Sequence, residues 1–145
     1  MKQTILISAC LMGMHCRYNG TGAMLEEATQ LMEKYHLIPV CPEIYGGLKT
    51  PRDPAERCGE KVMTAQGEEV TDAYLRGAEE ILRLSELYAC KIAILKEHSP
   101  SCGYGAIYDG TFSGTLIPGS GITAELLAKK GVRILGESKV KELLP

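Results

Sequence analysis

Short apolar runs alternate along this chain with amphipathic stretches, and the alternation predicts strands and helices in turn. Residues 4–9, Thr4-Ile5-Leu6-Ile7-Ser8-Ala9, form an isoleucine-rich run suited to a strand buried on both faces. Met24, Leu25, Ala28, Leu31, Met32 and Tyr35 then recur at helical spacing, predicting a helix over 20–35 with one apolar face. Residues 37–40 read as a second strand, joined to the first by a right-handed crossover. Periodicity fades over 41–67, where Pro42, Gly46, Gly47, Pro51, Pro54 and Gly59 predict a long ordered loop. Loops of that length inside a compact domain are usually functional or disordered, and the prolines and mixed charges here do not suit a flexible linker. Thr71 is placed to cap a helix reaching Tyr88, with Leu75, Ala78, Ile81, Leu82, Ser85 and Tyr88 inward. A third strand over 91–95 and a glycine-rich loop follow. Ser120 is then expected to cap a helix over 122–130, with Gly131 just past its end. A fourth strand over 132–135 and a short terminal helix over 138–144 complete the pattern. The class is α/β: a Rossmann-like, three-layer domain with a short, mainly parallel sheet, expected as one domain over 1–145.

Bulk numbers change this picture little. A chain of 145 residues buries roughly 70% of its unfolded surface, so it needs neither disulfide nor metal to fold. The net charge of −2 offers no footprint for a nucleic acid polymer, although a single base can still be held by local contacts. Six cysteines raise the question of secretion. The apolar run behind Lys2 is shorter than the roughly 7–15 residues of a signal peptide core. Ile7-Ser8-Ala9-Cys10 imitates a lipoprotein cleavage box but fails on the same length argument. No run approaches the roughly 18 apolar residues that cross a bilayer. The expectation is a cytoplasmic protein, away from membranes, with reduced thiols available for metal or catalysis.

The cysteines separate by position. Cys10 follows the first predicted strand, Cys41 the second, and Cys102 lies in the loop after the third. In a parallel sheet those three positions share the carboxyl edge, where open α/β folds gather their sites. Cys90 precedes the third strand, at the opposite edge, and is expected to be a buried structural thiol. Cys58 falls in the long loop, where no strand end holds it, and Cys16 is near enough to Cys10 to be a fourth ligand. No Cys-x-x-Cys or His-x₃₋₅-His spacing argues for zinc. Ligands scattered along the chain suit an iron–sulfur cluster, and structural thiols at strand ends fit as well. Glu43, two residues beyond Cys41, is either a general acid or base beside the thiols or a carboxylate capping a turn. Ser99 and Ser101 can contact a substrate heteroatom or simply form a turn around Pro100, and Arg52 adds a loop cation, more often ion-paired than catalytic. His15, His36 and His98 form no ligand set and are read as structural.

Three motifs taken in order resemble one family. They are Ser8-Ala9-Cys10-Leu11-Met12-Gly13 with Cys16-Arg17-Tyr18-Asn19-Gly20, then Pro39-Val40-Cys41-Pro42-Glu43 with Gly46-Gly47-Leu48-Lys49-Thr50-Pro51-Arg52, then Lys96-Glu97 with Ser99-Pro100-Ser101-Cys102-Gly103. Together with Gly119-Ser120-Gly121-Ile122-Thr123 they are similar to the bacterial thiouracil desulfurase family, formerly the domain of unknown function DUF-523. The resemblance implies a 4Fe-4S cluster held by Cys10, Cys41 and Cys102, with one iron not bound by protein. It also implies non-redox desulfuration of a thiolated pyrimidine such as 4-thiouracil, with Glu43 as proton shuttle and Ser99 or Ser101 on the substrate. The chain is expected to be the minimal form, without the extra C-terminal domain of some relatives. The alternative is a non-catalytic iron–sulfur or metal-binding module, a redox sensor or carrier, with Cys16 completing the ligand set. A homodimer is left open, since small α/β domains often pair.

Overall fold

Four parallel strands built from the apolar runs make the central sheet of the computed structural model, which describes residues 1–145. They are β1 (Gln3–Ser8), β2 (Tyr35–Val40), β5 (Ile92–Leu95) and β8 (Arg133–Gly136), in the order β2-β1-β5-β8. Side chains alternate between the faces of β1. Leu6 joins a cluster with Ile81, Ala124 and Leu127, whereas Ile5 and Ile7 join Leu31, Tyr35, Val140 and Leu143. Helices α3 (Thr71–Leu87) and α4 (Ile122–Lys129) therefore cover one face. Helix α1 (Ala28–Lys34) and a 3₁₀ segment (Glu137–Leu143) cover the other, giving the expected three layers. Ile5, Leu6, Ile7, Ile94 and Leu95 are fully buried, each contributing about 1.5–3 kcal/mol. A one-residue slip would move each of them to the opposite face and exchange the partners of the two clusters, so the register that aligns Ser8 with Val40 is strongly held.

The helix expected over 20–35 forms only in its last part. Residues 21–25 instead run as an extended strap: the Ala23 amide donates to the Cys10 carbonyl at 2.8 Å and the Leu25 amide to that of Leu11 at 2.9 Å. Gly22 presses against the Gly13 backbone, where a side chain has no room. Met24 and Met32, read as inward, are exposed, and Tyr35 already belongs to β2. In α3 the buried face is Ala73, Tyr74, Gly77, Ala78, Ile81 and Ser85, so Leu75 and Tyr88 point out rather than in. Gly77 sets that phase, because it packs directly on the Pro42 carbonyl. Thr71 does not cap the helix: its hydroxyl accepts the Val62 amide at 2.9 Å, and Val70 stands at the cap. Gly121 replaces Ser120 at the start of α4, and Gly131 follows its end at φ 89° as expected.

Two segments read as loops contain structure. Residues 41–67 hold α2 (Pro42–Tyr45) and an antiparallel hairpin of β3 (Ala55–Cys58) and β4 (Lys61–Thr64). Gly59, at φ 62°, supplies the left-handed turn between those strands, so Cys58 does sit at a strand end. The glycine-rich stretch after Cys102 forms a second hairpin, β6 (Ala106–Tyr108) and β7 (Leu116–Pro118). No helix is long and apolar enough to cross a membrane.

Candidate active site at the carboxyl edge of the sheet

Parallel strands end on the same side, and here that side opens into one cavity of about 390 Å³. Cys10, just beyond β1, Cys41, just beyond β2, and Cys102, in the loop after β5, all line it, and so does Cys16. Cys90 lies elsewhere, buried in the core between the sheet and α3, as its position implied. Cys58 is exposed and bonds to the Gly110 carbonyl outside the cavity.

The Cys102 loop is held by α4. The Ile122 amide donates to Pro100 O at 2.8 Å and the Thr123 amide to Ser101 O at 2.9 Å, satisfying helix amides that have no partner within α4. Gly121 lies so close to the Ser101 carbonyl that any side chain there would displace the loop. Within it, the Ser99 hydroxyl accepts the Cys102 amide at 2.8 Å and so shapes the turn. The Ser101 hydroxyl instead donates to Glu43 Oε2 at 2.8 Å. Pro42 starts α2 and brings Glu43 to this point, 14% exposed at its side chain. Arg52 closes the arrangement. Its Nε donates to Glu43 Oε1 at 3.0 Å and its Nη2 to the Cys16 carbonyl at 2.9 Å, so the loop cation is ion-paired at the site.

Residues the sequence reading passed over complete the site. Ser8 is buried at the end of β1; its hydroxyl faces Cys102 Sγ at 3.5 Å and accepts the Lys96 amide at 2.9 Å. Tyr74, on the buried face of α3, lines the same cavity as Glu43, and burial with that carboxylate's charge drives its phenol pKa far upward. A helical phase shifted by one residue would have found it. His98 lines the cavity with its ring edge-on to Tyr108, centroids 5.9 Å apart. His15 and His36 are exposed.

The thiols resist ionisation without a cation. Burial pushes Cys10 up to about 12, with Cys102 and Cys16 adding repulsion and the Lys96 ammonium opposing it. Burial likewise pushes Cys102 up to about 12, against hydrogen bonds from Ser8 and Ser101. Cys16 rises to about 11 through burial and the neighbouring Cys41. No three Cys, His, Asp or Glu side chains are close enough to hold a single metal ion. Thiols from separate segments lining one cavity are a soft donor set, and iron–sulfur clusters are held by thiolates. The residues present therefore fit such a cluster.

In the metal-free protein the buried Cys10 thiol makes stability depend on pH. An unfolded thiol ionises near 9.0 and Cys10 near 12, so between those values the unfolded chain releases protons that the folded chain keeps. Stability should fall as pH rises through that window and show no thiol contribution below it. Urea midpoints measured at about pH 8 and about pH 10.5 should drop, and drop less in Cys10→Ala. Equal slopes in both proteins would contradict this origin.

A Rossmann-like α/β domain with a cysteine-lined pocket at its carboxyl edge is the class that fold and site define. The family model described as 2-thiouracil desulfurase matches residues 5–139, and the chain belongs to that family. The uncharacterized protein YbbK of Bacillus subtilis (strain 168) is 44% identical over 150 residues, covering 97% of this chain and 99% of that protein. A solved structure described as the 4Fe-4S-dependent thiouracil desulfidase TudS superposes with a TM-score of 0.93 at 42% identity, covering 98% of this chain and 95% of the other.

Proposed function

We propose that this protein is an iron–sulfur enzyme that removes sulfur from a thiouracil-type base by hydrolysis, without net redox change. The observation carrying this reading is the meeting of Cys10, Cys41 and Cys102 in one cavity with the Glu43–Ser101 pair. Family membership and the 4Fe-4S-dependent relative support it. In this reading Cys10, Cys41 and Cys102 hold a 4Fe-4S cluster by three of its irons. Cys16 stays outside the ligand set, and its backbone carbonyl accepts from Cys41 Sγ at 3.9 Å. When bound, the cluster supplies Lewis acidity toward sulfur at the iron that no side chain occupies.

The chain's own residues do the rest. Overall, a C=S group and water become C=O and hydrogen sulfide. Glu43 Oε2 is the atom that takes a proton from the attacking water and later returns it to the leaving sulfur or a ring nitrogen. Ser101 Oγ, 2.8 Å from that oxygen, orients the water or substrate and passes the proton. Arg52 fixes the other carboxylate oxygen, so only Oε2 is free to exchange protons with the cavity. The half-buried pocket limits the water that reaches these groups.

The test is anaerobic reconstitution with iron and sulfide, followed by sulfide release from 4-thiouracil and 2-thiouracil. About four irons per chain and catalytic sulfide release are expected. A stable cluster with no turnover on any thiolated pyrimidine would favour the non-catalytic module. Failure to take up iron would remove the cluster and with it the enzyme reading.

A further inference from the structure

The chain's only phenylalanine is not in its core. Phe112 occupies the tip of the 109–115 turn between β6 and β7, is 38% exposed, and lines the same cavity as the cysteines. Its backbone is left-handed, φ 57°, a conformation unfavourable for a bulky side chain and kept only where surrounding contacts impose it. Those contacts come from the other hairpin. Glu56, a buried carboxylate on β3, accepts the Gly110 amide and the Phe112 amide with one oxygen, both at 3.0 Å. Cys58 Sγ bonds to the Gly110 carbonyl at 3.7 Å, and the turn packs so tightly there that only glycine fits, itself at φ 95°. Inside the turn, Asp109 accepts the Thr111 amide at 2.9 Å and its hydroxyl at 2.6 Å.

A turn that only joined β6 to β7 would need none of this. Holding an apolar ring partly in water, at an unfavourable φ, at the wall of the cysteine-lined cavity is the arrangement of a preformed stacking surface. The aromatic pair at the site is His98 with Tyr108, and the Phe112 ring takes no part in it.

We propose that Phe112 is the platform on which the substrate's pyrimidine ring stacks, and that Glu56 is the positioning residue that holds it in place. The inference rests on the thiopyrimidine reading above and adds where the ring binds. A stacking contact recognises the flat face of the ring and not its sulfur. Phe112 therefore contributes affinity for thiolated and oxygenated pyrimidines alike, leaving discrimination of sulfur to the cysteine end of the cavity. The desulfurated product should accordingly compete with substrate.

The experiment compares KM and kcat for thiouracil in cluster-loaded wild type, Phe112→Ala, Phe112→Tyr and Glu56→Ala, with cluster absorbance recorded for each. KM should rise about 5- to 100-fold in Phe112→Ala with a much smaller change in kcat, and return most of the way in Phe112→Tyr. Glu56→Ala should raise KM in the same direction. Because the chain has no tryptophan, Phe112→Trp installs a single reporter whose emission should change on adding either thiouracil or uracil, with no turnover required. An unchanged KM in Phe112→Ala together with a silent Phe112→Trp reporter overturns the platform while leaving the desulfurase reading intact. A responsive reporter in a protein that releases no sulfide keeps the platform and removes the desulfurase reading. Neither turnover nor response removes both.

Discussion

Alanine in place of Cys10, Cys41 or Cys102 is expected to leave no stable 4Fe-4S absorbance after anaerobic reconstitution and to abolish sulfide release. Cys10 and Cys41 directly follow β1 and β2, and Cys102 lies in the loop after β5, so each thiol is carried by a different segment of the sheet edge. Losing one of three anchors leaves two irons without protein ligands, and such a cluster should decay under mild chelation. The effect should be local. Cys10 and Cys102 are small buried side chains, and truncation to alanine removes one sulfur from packing that Ile5, Leu6, Ile7, Ile94 and Leu95 continue to hold. Circular dichroism should show all three variants folded. Cys16→Ser and Cys90→Ala are the controls and should both assemble the cluster, although Cys16→Ser lies beside Cys41 and can alter its stability toward oxygen. A full cluster in any of the three alanine variants would strike that cysteine from the ligand set. Loss of the cluster in Cys16→Ser would instead assign four thiolates to four irons, as the redox-module reading requires.

Turnover should fall about 10²- to 10⁴-fold in Glu43→Gln while the cluster remains, the usual loss when a positioned acid–base group is removed. That range corresponds to about 3–5 kcal/mol of barrier. Glutamine keeps the size of the side chain and still accepts from Ser101, so the site is not collapsed; what disappears is the proton-carrying carboxylate and the charge facing Arg52. Iron content and the cluster spectrum should match wild type, because in this reading Glu43 is an acid–base group and not a ligand. An unchanged kcat would end the proton role of Glu43 and shift attention to Tyr74, which lines the same cavity.

Much of the fold could be read along the chain because its elements are local. The runs Ile5-Leu6-Ile7 and Ile92-Ala93-Ile94-Leu95 are apolar on both faces, which in a chain of alternating helices means buried parallel strands. What failed were the places where distant backbone sets local structure. The strap at 21–25 has a helical spacing of apolar residues, yet its amides bond to Cys10 and Leu11. The phase of α3 follows from Gly77 against Pro42, a contact absent from any window on the helix alone. Both hairpins sit in segments rich in glycine and proline, where weak periodicity reads as loop although the strands pair.

The site divides in the same way. The amino-acid sequence by itself determined that Cys10, Cys41 and Cys102 follow strand runs, that Glu43 accompanies Cys41, and that Cys90 lies apart. Those relations rest on neighbours in the chain and on the rule that parallel strands end on one side. Only the tertiary structure decided that Ser101 rather than Ser99 bonds to Glu43, that Arg52 holds that carboxylate, and that Tyr74 lines the same cavity. It alone placed Ser8 behind Cys102 and aimed Phe112 over the cavity from Glu56. These are contacts between residues up to 94 positions apart, and they arise from the packing of separately formed elements, which no local pattern encodes.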